Sequence, residues 1–186
     1  MEAFIYLRAR PGSAARIAAQ LPGKPGIRRA VIVVGDWDVL ALAEGNDLNS
    51  IATGILANVH TIDGVERTLT APVVPIDRLG ALGAGFGMTH APQLNPGEAC
   101  YVQVRVQPGT VPNLVERLSE IEEISGLAAL GGEHDLLLEI RGPWEVASGV
   151  VLEHVHPMPG VVSTATLVGI DYQEPEEDRD QFSAWE

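Results

Sequence analysis

The chain repeats itself, and this limits its possible folds more than any other feature, because two like segments must solve the same packing problem. Residues 4–13, Phe-Ile-Tyr-Leu-Arg-Ala-Arg-Pro-Gly-Ser, align with residues 101–110, Tyr-Val-Gln-Val-Arg-Val-Gln-Pro-Gly-Thr. Gly35-Asp36-Trp37-Asp38-Val39-Leu40 aligns at the same offset with Gly132-Glu133-His134-Asp135-Leu136-Leu137. One residue is then lost in the second copy, after which Val59-His60 matches Val155-His156. Gly64-Val65, Thr68 and Thr70 likewise match Gly160-Val161, Thr164 and Thr166.

Each copy reads as the same succession of elements. An apolar strand ends at a Pro-Gly turn, where Ser13 or Thr110 is placed to cap a helix. Ala14, Ile17, Ala18 and Leu21 keep helical spacing, as do Val111, Leu114, Val115 and Leu118. Strands follow at 28–34 and 39–43, or 126–130 and 136–140, joined by turns short enough to make each pair a hairpin. A second helix presents Leu48, Ile51, Ala52, Ile55 and Val59 on one face, matched by Trp144, Ala147, Ser148, Val151 and Val155. Gly64 or Gly160 then releases a last strand.

This order is that of the ferredoxin-like βαββαβ unit, an antiparallel sheet with two helices on one face. Its other face would ordinarily alternate with polar residues, yet Ala30–Val34, Val39–Leu42 and Leu136–Leu138 are apolar throughout. The α+β chain is therefore expected to stack its tandem units sheet against sheet in a dimeric α/β-barrel type assembly, within one chain or between chains. The expected division is a first domain at 1–74, a Gly/Pro-rich linker at 75–98, a second domain at 99–172 and an acidic tail at 173–186. The linker lacks the spacing of a phosphate-binding loop.

The hairpin turns hold the candidate site: Gly35, Asp36, Trp37, Asp38, Gly132, Glu133, His134 and Asp135. Glycine supplies positive φ there and an aspartate can bond its own turn backbone, so a well-capped hairpin is one reading. The other is that turn amides hold an anion while turn carboxylates receive a cation, which together describe an amino-acid zwitterion.

These turns, together with the endings Asp63-Gly64-Val65-Glu66-Arg67-Thr68 and Pro159-Gly160-Val161-Val162-Ser163-Thr164, resemble the effector-binding domain of Lrp/AsnC transcriptional regulators. The resemblance covers residues 2–74 and 99–170. It implies pairing of two sheets into a barrel, homo-oligomeric assembly, and a small-molecule effector such as an amino acid bound near the turns. It also implies a regulatory partner among Lrp/AsnC-type regulators. Two departures qualify it. The first strand begins at once, where gene regulators of the family carry a helix-turn-helix, and the second turn has Glu133-His134 in place of Asp36-Trp37.

Charge and composition narrow the remaining classes. A net charge of −13 opposes nucleic acid and anionic membranes, so neither is an expected partner. A single cysteine, Cys100, excludes an intrachain disulfide and fits a cytoplasmic location, and its strand position suits a small buried side chain. No leader or membrane-spanning pattern is read at the amino terminus. Glu153, His154 and His156 lack the spacing of a metal site, and no metal or cofactor is expected. His134 beside Asp135 would suit a general base and its orienting acid, but no nucleophile stands near; no catalytic residue is assigned, and a small monooxygenase or isomerase on the same barrel is the rival reading. Trp37, Trp144 and Trp185 are read as packing residues.

Overall fold

The computed structural model describes residues 1–75, 91–95 and 98–172. The first copy comprises β1 (Glu2–Ala9), α1 (Ala14–Gln20), β2 (Ile27–Val34), β3 (Val39–Glu44), α2 (Leu48–Gly54) and β4 (Val65–Val74). The second comprises β5 (Ala99–Val106), α3 (Val111–Ser119), β6 (Ile124–Leu130), β7 (Leu136–Arg141), α4 (Trp144–Val150) and β8 (Val161–Ile170). Both are the ferredoxin-like unit expected. The tail 173–186, with Trp185, and linker residues 76–90 and 96–97 lie outside the described residues. No described helix is long and apolar enough to cross a membrane.

The two sheets do more than stack. They join edge to edge in a closed antiparallel barrel of order β1-β3-β2-β8-β5-β7-β6-β4. β2 pairs with β8 through Ile32↔Ile170, Val33↔Gly169 and Val34↔Val168, and β4 pairs with β6 through Val73↔Leu130 and Val74↔Ala129. The pairing therefore lies within one chain. Closure leaves neither seam with a free strand edge, since each is consumed by the other copy.

Eight strands leave an interior that side chains just fill. Phe4, Tyr6, Leu40, Leu42, Tyr101, Leu137 and Leu167 form that inner core together with Trp37. The outward-facing residues lie beneath the helices: Ile5 and Leu7 with Ile17, Ile51 and Val59, and Val102 and Val104 with Leu114, Leu118 and Val155. Strands buried on both faces explain the unbroken apolar runs, each large side chain contributing roughly 1.5–3 kcal/mol over exposure.

The helices differ from expectation in three respects. Ser13 and Thr110 stand at the N-cap positions but make no side-chain cap bond. Each instead packs against the turn before the last strand: a Cβ on Gly64 (φ +88°) would lie 2.7 Å from Ser13 Cβ, and one on Gly160 (φ +101°) 2.9 Å from Thr110 Cβ. Among the described residues, only Asp47, ahead of α2, forms a full capping box, with Ser50.

Second, both α2 and α4 pass into a π turn at their ends, with His60 N donating to Ile55 O at 3.1 Å and His156 N to Val151 O at 2.8 Å. Third, the buried face narrows to Ile51, Ile55 and Val59 in the first copy, matched by Ala147, Val151 and Val155 with Val150 added in the second, and Leu48 and Ala52 turn outward. Trp144 is 48% exposed and so is not the packing residue expected. Cys100 is fully buried, as its strand position suggested.

Candidate functional site at the barrel mouth

β2 and β6 run toward the same end of the barrel, so the turns that follow them share that end. Gly35 and Gly132 have φ of +150° and +147°, the conformations for which glycine was expected. Each turn also rests on the opposite copy. A Cβ at Gly35 would lie 2.9 Å from Thr166 O and from Leu167 Cδ2 of β8, and Gly131 N donates to Pro72 O of β4 at 2.9 Å. The site residues of the two copies are thereby brought to one rim, where the Asp36 charge reaches His134.

Asp38 and Asp135 do not bond their own turns. Asp38 Oδ2 accepts from Ala9 N and Asp135 Oδ2 from Val106 N, both at 2.8 Å, tying each turn to the neighbouring strand. The reason is register. With Leu7 opposite Val39 and Val104 opposite Leu136, the strand next door continues past the turn with an amide that has no partner in β3 or β7. One carboxylate oxygen of each aspartate is thus committed to the fold.

The turn amides are placed differently. Asp38 N and Asp135 N donate to Leu7 O and Val104 O, but the amides of Gly35, Asp36, Trp37, Gly132, Glu133 and His134 meet no acceptor among the described residues. Trp37 closes the inner core beneath them, its ring 5.9 Å from that of Tyr6 and tilted 44° to it. The Arg8 and Arg67 guanidinium carbons lie 5.9 and 5.5 Å from the Trp37 ring centroid. Arg105 Nη2 donates to Glu133 O at 3.1 Å. The rim thus combines guanidinium groups and free amides with the carboxylates of Asp36 and Glu133.

His134 is partly buried, and desolvation holds its imidazole below the ordinary range against the opposing pull of Glu133. Asp135 does not orient it, because that carboxylate faces Val106. The dyad weighed from the sequence is therefore absent in this geometry. His156 Nε2 pairs with Thr164 Oγ1 at 2.8 Å, as His60 does with Thr68, leaving His156 in a structural pair apart from Glu153 and His154.

Sequence reading passed over two groups inside the barrel. Gln103 is 1% exposed and Glu139 is 2% exposed. The repeat itself carried the signal, because Gln103 stands where the first copy has Tyr6, and Glu139 where it has Leu42. Tyr6 Oη and both amide atoms of Gln103 are buried without a hydrogen-bond partner of normal geometry. Burial pushes the Tyr6 hydroxyl up, while Gln103 lies close enough to pull it the other way.

Comparison with known proteins places this architecture. No curated protein matches the chain. Among solved structures, the siroheme decarboxylase NirDL aligns over 92% of this chain and 71% of its own, at 12% identity and a TM-score of 0.60, a likeness of fold. A hypothetical protein from Pyrococcus horikoshii aligns over 41% of this chain and 94% of its own, at 19% identity and a TM-score of 0.37. Residues 99–172 match the family model described as the Lrp/AsnC ligand binding domain. The second copy therefore matches the Lrp/AsnC ligand binding domain along its length, and the first repeats its fold within the same chain.

Proposed function

We propose that this chain binds an amino acid or a related metabolite at the barrel mouth and serves as a sensor without chemistry of its own. The observation carrying the reading is the set of unengaged turn amides, three from each copy, beside the half-buried Asp38 and Asp135, whose hydrogen bonds to the neighbouring strands use only one carboxylate oxygen each. Amides oriented by a turn attract a carboxylate, and the acids attract an ammonium. The family that the second copy matches is named for ligand binding, which supports a small molecule in general. An effector that favoured one assembly state would let the chain act on itself or on Lrp/AsnC-type regulators. The NirDL likeness supports the barrel and carries no chemistry across, and the engagement of Asp135 Oδ2 by Val106 N, in place of a hydrogen bond to His134, favours binding over catalysis.

The test is a thermal-shift screen of amino acids on the whole chain, followed by calorimetric titration of Asp38→Asn and Asp135→Asn. Asparagine keeps an oxygen acceptor for Ala9 N or Val106 N but removes the charge. Loss of about 1.5–3 kcal/mol of binding in at least one variant, with little change in melting, is the expected result. Unchanged affinity in both, or an empty screen, would defeat the reading.

A further inference from the structure

At the end of the barrel opposite the turns, Glu139 is sealed in by a short segment of the linker. Gln93 N and Leu94 N both donate to Glu139 Oε2, at 3.0 and 3.3 Å, and Ser125 Oγ donates to Oε1 at 3.0 Å. Leu94 sends its side chain into the inner core, where it is 1% exposed. To do so it adopts φ +52°, the left-handed region, as no other non-glycine does among the described residues. Gly126 makes room, because a Cβ there would lie 2.9 Å from Pro92 Cα; the first copy has Arg29 at that position, and Arg29 Nη1 donates to Asn95 Oδ1. Residues 91–95, which fall within the Gly/Pro-rich linker expected at 75–98, thus cross the barrel end as a packed strap.

The strap offers Glu139 two N–H groups and offers the barrel a branched aliphatic side chain. A free molecule bearing an ammonium on an apolar body offers the same two features. A way in is also present. A cleft of about 490 Å³ opens between α1, the Arg28–Ile32 edge of β2 and the end of β8, and Leu94 and Tyr101 are among its lining residues. The volume lies within the range of small-molecule sites, roughly 300–1,000 Å³. Glu139 is the β7 partner of the lining residue Tyr101 in the β5–β7 register.

We infer that the barrel holds a second binding site, built on Glu139 and the surrounding apolar core, for a primary ammonium compound with an aliphatic body of about leucine size, and that the strap occupies it. The first copy has no such site, because Leu42 stands in place of Glu139. The ligand ammonium takes over Glu139 Oε2 from Gln93 N and Leu94 N, while Oε1 stays with Ser125 Oγ and with Arg141 Nε at 3.8 Å, and the ligand body replaces the Leu94 side chain. Competition from the strap weakens the observed affinity by the fraction of molecules in which the strap is displaced. The site goes beyond the amino-acid reading at the turns and does not depend on it, since its ligand needs no carboxylate.

The experiment is calorimetric titration of the whole chain with isopentylamine, with isopentanol as the uncharged control. Leu94→Ala empties the apolar space while keeping the strap backbone, and should bind the amine at least tenfold more tightly than the parent chain. Adding Glu139→Gln should remove at least tenfold of that affinity, whereas Asp38→Asn should leave it unchanged. Because Leu94→Ala could fail to fold, the parent chain is also followed by NMR at high amine concentration, where the Leu94 methyl resonances should shift and isopentanol should not reproduce the shift. Equal binding by Leu94→Ala and the parent, indifference to Glu139→Gln, or unmoved Leu94 methyls at saturating amine would overturn the inference. Since the turn variants and this pair are read separately, failure here leaves the mouth site standing, and the converse holds.

Discussion

A methyl group added at Gly35 has nowhere to go. With φ at +150° and Thr166 O and Leu167 Cδ2 within 2.9 Å of the new carbon, Gly35→Ala is expected to cost about 1–3 kcal/mol, because backbone strain and a clash with main chain add. Gly149 is the contrast. It sits within α4 with nothing inside 4 Å of a Cβ, and Gly149→Ala should stabilise by about 0.5–1 kcal/mol through helix propensity. Chemical denaturation of the two variants gives both signs in one experiment. His134 supplies a pH dependence at this scale. Its pKa is depressed in the fold, so the unfolded chain binds the proton more readily in the window below the ordinary value near 6.5. The stability contribution is complete above that value and is lost as pH falls toward the folded pKa. The melting temperature of the parent should therefore decline over that window more steeply than that of His134→Gln, and parallel curves would refute the assignment.

Among the elements, the seams matter most, because the outer edges of β2 and β4, whose inner edges pair with β3 and β1, find partners only in the other copy. A single copy would expose two strand edges and the apolar face bearing Phe4, Tyr6, Leu40 and Leu42, or its counterpart with Tyr101 and Leu137. Residues 99–172 made alone are accordingly expected to self-associate into a two-copy barrel, with sedimentation giving twice the chain mass or a multiple of it. A folded, stable monomer of that fragment would contradict the account of the seams. Much of this scale was legible in the sequence: the strand and helix order, the hairpins, and the burial of both sheet faces all followed from apolar periodicity and turn residues. The outward turn of Leu48 and Trp144 was not, because each is the first residue of its helix, and whether that first turn reaches the sheet depends on how the incoming chain places it, which side-chain spacing does not record.

For the whole molecule, net charge bears on partners more directly than on fold. At −13, the chain is expected to show no specific affinity for duplex DNA at physiological salt. Electrophoretic retardation that is sequence-selective and weakens with salt would contradict this. The repeated unit, its covered sheet, and the concentration of polar groups in two glycine-led turns could all be read along the chain, because they follow from local chemistry and from the spacing of like residues. Folding in three dimensions was needed to show that the copies close one barrel within the chain, that Asp38 and Asp135 turn to Ala9 and Val106, and that residues 91–95 plug the far end over Glu139. Each of these joins groups far apart in sequence. Such contacts depend on strand register and on which backbone groups are left without a partner, and both are set only when the whole barrel is assembled.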